Sequence, residues 1–128
     1  MKLLLDTHTL IWWDQKPGEL SRKARDAIVL PGAQVYFSVA SVWEMQIKEA
    51  SGKLKLGGPV RRTVETQMQE NGLKLLPLAL SHIWALSDIP TVHRDPFDRI
   101  LVAQARSERM KLVTPDEIFK EYGVDLLW

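Results

Sequence analysis

Four acidic residues stand where short apolar runs end: Asp6 after LLL, Glu44 in SVASVWE, Asp98 in RDPFDR and Asp116 in VTPDE. Carboxylates gathered within a few ångströms repel one another, so either some take up protons or a cation sits among them. An all-oxygen donor set in a chain with no cysteine suits a hard ion. Mg²⁺ is held by one or two carboxylates, water and substrate phosphate oxygens, and Mn²⁺ is its natural substitute. The chemistry this predicts is phosphodiester hydrolysis, in which such a site polarises the phosphate and acidifies a water to make the nucleophile.

Each acid taken alone also has a structural use, because the free N–H groups and the dipole at a helix start welcome negative charge. Ser41-Val42-Trp43-Glu44 fits a capping box. Thr114-Pro115-Asp116 and Asp95-Pro96-Phe97-Asp98 each place proline at a first helical position, with Thr114 and Asp95 as caps. Capping and convergence are compatible, since in a parallel sheet all strands end along one edge, where open α/β sheets bind ligands. In RDPFDR the helical spacing separates the two aspartates. Asp98 falls inside the helix on the face of Leu101, Val102 and Ala105, whereas Asp95 sits outside it and aims it.

Other chemistries are poorly supplied. His8, His82 and His93 lack ligand spacing, although His8, two residues beyond Asp6, is close enough in sequence to touch the site. There is no GxxxxGK[ST] or GxGxxG loop and no GxSxG elbow. DTH offers Asp6 no second acid two residues later, which disfavours a phosphoaspartyl mechanism.

The elements that must position these acids are visible as alternation. Runs at 3–6, 35–38, 73–76, 112–114 and 124–127 predict strands, mostly too continuous for one wet face. Helical patterns fall near 21–29, 41–50, 59–71, 81–87, 96–108 and 116–121, with a turn region at 51–58 and a helix stop at Gly72. Strands alternating with helices imply right-handed crossovers and a mainly parallel sheet covered on both faces. Val39, Trp43, Ile47 and Ala50 follow the spacing of a buried stripe, so Trp43 is expected in the core, and Trp84 with it. Adjacent Trp12 and Trp13 point about 100° apart on a helix, which suggests that one of them lies at an interface.

A chain of 128 residues with 45% apolar composition is expected to form one domain, 1–128. The absence of cysteine, of a signal-peptide core and of a membrane-length apolar run points to a soluble protein of the reducing cytoplasm. Net charge is +1, but with the four acids set aside the remainder is 17 basic against 12 acidic residues. This describes a mildly basic body around an acidic pocket. Lys48, Arg94 and Arg99 are the candidates to grip substrate phosphates, and solvated helix faces are the simpler alternative for such charges.

The segments LLLDTHTLIWW, SVASVWEMQIK, HRDPFDRILVAQA and LVTPDEIFKEYGV, in this order, resemble the PIN-domain ribonucleases, specifically the VapC-type toxins of bacterial toxin–antitoxin systems. The resemblance covers nearly the whole chain and is least distinctive over 51–92. It implies a PIN-like three-layer α/β/α sandwich with a mainly parallel central sheet of about five strands. It also implies a homodimer, Mg²⁺- or Mn²⁺-dependent cleavage of RNA, and an antitoxin that blocks the acidic groove. By the same resemblance Asp6 and Asp98 would ligate the metal directly, while Glu44 and Asp116 would complete the shell or hold waters. Thr114 would orient Asp116 or a water, unless it is only a cap. RNA is favoured over DNA by the resemblance. The alternatives are a catalytically silent protein-binding module on the same crevice and a structure-specific DNA nuclease, the latter disfavoured by the lack of an arch-like insertion.

Overall fold

The computed structural model describes residues 1–90 and 95–128. Its centre is a five-stranded parallel sheet in the order β3-β2-β1-β4-β5, built from β1 (Lys2–Leu5), β2 (Gln34–Ser38), β3 (Lys74–Leu76), β4 (Lys111–Val113) and β5 (Leu126–Leu127). The helices are α1 (Thr7–Gln15), α2 (Arg22–Val29), α3 (Val39–Ala50), α4 (Val60–Gln69), α5 (Leu80–Ala85) and α6 (Pro96–Glu108). Short 3₁₀ segments occupy Pro17–Glu19, Leu86–Asp88 and Glu117–Tyr122.

The period of two along each strand sorts side chains into two cores. Leu3, Leu5, Val35, Phe37, Val113 and Leu127 face one side, where they meet Leu10 of α1, Ala24 and Ile28 of α2, Met45 of α3 and Val60 of α4. Leu4, Leu112 and Leu76 face the other, against Leu101, Val102 and Ala105 of α6, with Phe119 and Tyr122. Leu3, Leu4 and Leu5 are all fully buried. Both faces of β1 are therefore covered, as its unbroken apolar run requires, and the molecule is the three-layer α/β/α sandwich expected.

Several local expectations are corrected. A helix at Thr7–Gln15 follows β1 directly, with Asp6 outside the strand as its cap. The stretch THTLIWWDQ has no consistent polar face, so periodicity does not announce it. α3 starts at Val39 with Ser38 as cap, the Ser38 hydroxyl accepting from the Ala40 N–H at 3.0 Å. Ser41 is thus inside the helix and forms no capping box. Asp116, not Thr114, caps the 3₁₀ segment after β4. Asp95 does cap α6, with Pro96 in its first turn.

The largest correction concerns the two tryptophans expected in the core. Trp43 is 63% exposed and Trp84 65% exposed. The buried face of α3 is instead Ala40, Ser41, Glu44 and Met45, while Val39, Trp43 and Ile47 lie on its outer side. Trp12 and Trp13 are both half-buried against the first core, and Trp12 also packs on Trp128 at 6.2 Å between ring centres.

Candidate active site

Because all five strands run parallel, their carboxyl ends share one edge, and the loops leaving that edge carry the acids. Asp6 is held most tightly. Its backbone N–H donates to the Val113 carbonyl at 3.2 Å, joining the end of β1 to the end of β4. Its Oδ1 accepts the Thr9 N–H at 2.7 Å, and its Oδ2 accepts the Thr114 hydroxyl at 2.5 Å. Thr114 Oγ1 is itself the acceptor for the Asp116 N–H at 3.1 Å, which leaves its proton for Asp6. Thr9 closes the corner by donating its hydroxyl to the Val113 carbonyl at 3.0 Å. Burial pushes the Asp6 carboxyl above its ordinary pKa, opposed by the hydrogen bonds from Thr114 and Thr9 and by the charge of His8.

Glu44 comes from the inner face of α3 and is 4% exposed. Its Oε2 receives the Lys48 ammonium at 2.8 Å, one helical turn on. Its Oε1 is buried and has no hydrogen-bond partner among the described residues. A buried carboxylate oxygen left bare is costly unless something positive reaches it. A hydrogen bond from the Thr7 hydroxyl to Ser41 Oγ, 2.9 Å and buried, ties the start of α1 to α3 and so fixes Glu44 relative to Asp6.

α6 brings the other pair. Asp95 Oδ1 accepts the Phe97 N–H at 2.9 Å, setting where the helix starts, and Asp98 sits half-buried in its first turn. Asp116 is exposed, and its Oδ1 accepts the Ile118 N–H at 3.1 Å. Asp6, Glu44, Asp95, Asp98 and Asp116 all line one cavity of about 280 Å³, together with Thr7, His8, Trp12, Lys48, Pro115 and Phe119. The four acids singled out in the sequence are therefore brought together, with Lys48 and His8 beside them. Arg99 is not among the lining residues: its guanidinium donates to the Pro90 carbonyl at 2.9 Å and to the Leu86 carbonyl at 3.4 Å, bracing α6 against the preceding loop. Arg94 and His93 lie outside the described residues.

Sequence reasoning passed over Thr7 and Thr9, and read Trp12 as an interface candidate and not as a wall of this cavity. The first two are legible only after Asp6 is known to cap a helix, because a cap aims the following residues back at the strand ends. The third would follow from His8, whose ring meets Trp12 at 5.9 Å.

With this geometry in hand, the family can be assigned. The profile of the PIN domain family matches residues 3–125. The chain belongs to the PIN domain family. No curated protein matches it in sequence. Among solved structures, this PIN domain is similar to a chain of VapBC2 from Rickettsia felis, bound to a DNA fragment from their promoter. The TM-score there is 0.74 at 14% identity, over 98% of this chain and 96% of that one. It is similar also to VapBC-1 from nontypeable Haemophilus influenzae, with TM-score 0.68, 17% identity and 94% and 92% coverage. VapBC-5 from Mycobacterium tuberculosis, a toxin–antitoxin system, gives TM-score 0.61, 15% identity and 93% and 88% coverage.

Divalent ions suit this PIN domain's donor set, on the strength of one atom above all, the bare buried Glu44 Oε1. Among the described residues no three acidic or histidine side chains have already closed on a common point. A cavity walled by spaced carboxylates fits an ion that keeps several of its waters, which is the habit of Mg²⁺. By the family resemblance Asp6 and Asp98 would hold such an ion directly, with Glu44 and Asp116 completing its shell or receiving its waters.

Proposed function

We propose that the chain is a VapC-type toxin, a Mg²⁺-dependent endoribonuclease with Mn²⁺ as substitute, whose partner is a cognate antitoxin that blocks the acidic cavity. The observation that carries this is the convergence of Asp6, Glu44, Asp98 and Asp116 on one cavity at the carboxyl edge of the sheet. A bound divalent ion supplies positive charge at the phosphate and a more acidic water. The chain's own residues do the rest. Asp6 is locked in place by Thr9 and Thr114, so that its carboxylate needs no reorganisation to serve as a ligand. Asp98, on a helix whose start is fixed by Asp95, approaches the same cavity from across the sheet edge. Lys48 offers positive charge to the phosphate from the cavity wall. RNA is favoured over DNA by the resemblance to VapC-type ribonucleases, and a single strand over a duplex because flexible strands enter such a crevice more readily.

The solved VapBC structures are toxin–antitoxin assemblies, which supports an antitoxin partner for this chain. A homodimer is supported by the apolar outer face of α3, where Val39, Trp43 and Ile47 form a groove of about 590 Å³ with Leu78, Ile83 and Phe97. Among the described residues no helix is long and apolar enough to cross a membrane.

The deciding experiment is cleavage-site mapping in total RNA, with Mg²⁺ or Mn²⁺, for the parent and Asp98→Asn. The parent should cut at defined sites and the variant should lose at least about a hundredfold in rate, as expected for removal of an ion ligand. Parental cutting by a folded Asp98→Asn, or no ion-dependent cutting by the parent, refutes the proposal.

A further inference from the structure

The mechanism above leaves the Lys48–Glu44 pair half explained. Lys48 Nζ is 2.8 Å from Glu44 Oε2, with the carboxylate 6% exposed and the lysine side chain 35% exposed. An ammonium has three donors, and among the described residues Glu44 is the one group that the Lys48 ammonium bonds. Both residues line the acidic cavity. The pair is therefore not a surface i,i+4 bridge of the kind Arg61 and Glu65 make in solvent. It is a cation anchored by a buried carboxylate at the wall of a site rich in negative charge. The other Glu44 oxygen, Oε1, has no partner among the described residues. The two oxygens of one carboxylate thus divide, one given to a resident cation and one left for a second positive group.

We infer that Lys48 is an internal counter-charge that sets the balance of the site between ion and phosphate. Held by Glu44, its ammonium offsets one of the converging carboxylates, which lowers the site's affinity for a divalent cation. Its remaining donors are available to a phosphate oxygen, which raises affinity for nucleic acid. The same charge therefore acts with opposite sign on the two ligands. Lysine is suited to this as a compact point charge on a flexible stem, able to stay with Glu44 while reorienting its other donors. The inference rests on the proposed ion-dependent nuclease reading and gives it a residue that tunes both ligands.

The test measures Mn²⁺ binding by titration, and separately the binding of a non-cleavable 2′-O-methyl RNA single strand across a salt series, for the parent, Lys48→Met and Lys48→Arg. Lys48→Met should bind Mn²⁺ several-fold more tightly than the parent. It should bind the oligonucleotide more weakly, with the slope of log affinity against log salt reduced by about one phosphate contact's worth, ~0.7 for a single strand. Lys48→Arg, which keeps the charge but not the compact head, should stay closer to the parent than Lys48→Met in both affinities. A purely structural role for the lysine would not move the two affinities in opposite directions. Unchanged or weaker Mn²⁺ binding by Lys48→Met, or an unchanged salt slope, overturns the inference while the parent's own Mn²⁺ binding leaves the nuclease reading standing. Absence of Mn²⁺ binding by the parent overturns both. Should Lys48→Met prove unfolded by circular dichroism, Lys48→Gln, which keeps a polar head at Glu44, carries the same expected outcomes.

Discussion

Asp6 is the side chain on which opposing forces meet. Its place at the end of β1 buries it to 5% exposure, and burial disfavours the charged carboxylate, while Thr9 and Thr114 supply hydrogen bonds that favour it. The net direction is upward from the ordinary value of 3.8. A carboxyl whose folded pKa lies above its unfolded one contributes stability where it is protonated. That contribution is complete below the unfolded pKa and is lost as pH rises through the folded value. Above its folded pKa the ionised Asp6 thus costs the ion-free fold stability, and there Asp6→Asn should melt at a higher temperature than the parent. The gap should narrow as pH falls toward the ordinary carboxylate range. Added Mn²⁺ should raise the melting temperature of the parent and leave the variant nearly unmoved, because an ion that binds only the folded state stabilises it by mass action. Thermal melts across the pH range, with and without Mn²⁺, check this; a variant whose advantage over the parent shrinks as pH rises would show that the hydrogen bonds outweigh burial.

The helices differ in how much of them could be read from residues. α6 announces itself, with Asp95 as cap, Pro96 in the first turn and an apolar stripe that the structure buries through Ile100 to Ala105. β1 and β4 are equally plain, since three consecutive leucines and LVT have no polar face to expose. α1 was hidden because its nine residues carry apolar groups all round, so that its start is set by the Asp6 cap rather than by a period. α3 misled in a different way. Its spacing of Val39, Trp43 and Ile47 correctly marks an apolar stripe, but periodicity records which residues share a face and not what covers it. The buried face holds Ser41, which accepts a hydrogen bond from Thr7, and Glu44, which pairs with Lys48 there. The acids were legible as a set because strand ends converge in a parallel sheet; Thr114 was legible beside Asp116 but not as the donor to Asp6, and Thr7 and Thr9 were not, because their contacts reach from α1 to α3 and β4. The α6 cap gives the prediction at this scale. Asp95→Ala should lose about 1 kcal/mol, or ~4 °C in melting temperature, and part of the cleavage rate. Asp95→Ser, which still caps, should recover the stability. Equal melting temperatures for parent and Asp95→Ala would remove the cap from the account of how Asp98 is aimed.

At the scale of the molecule, the two sides of α3 face different tasks. Its inner side supplies Glu44 to the cavity, and its outer side leaves Trp43 and Ile47, 63% and 44% exposed, in one groove with Leu78, Ile83 and Phe97. A contiguous apolar surface of this kind is seldom left to water on a monomer. The Trp43 ring also meets Phe97 of α6 edge-on at 5.3 Å, one residue before Asp98. A second copy seated here would therefore press on the helix that carries a proposed ion ligand, coupling assembly to the shape of the site. Stable pairing calls for an interface of about 1,600 Å², and removal of a central tryptophan from such an interface costs roughly 2 kcal/mol or more, about thirtyfold in Kd. Trp43→Ser combined with Ile83→Ser should accordingly convert a dimeric parent to monomer in light scattering at micromolar concentration. The fold should survive, since neither side chain belongs to the buried core. Cleavage by that monomer should be slower than the parent's, with Mn²⁺ affinity also reduced if pressure on Phe97 is what holds Asp98 in place. A double variant that remains dimeric would move the pairing surface elsewhere, and a monomeric variant with parental cleavage and ion affinity would separate assembly from the site.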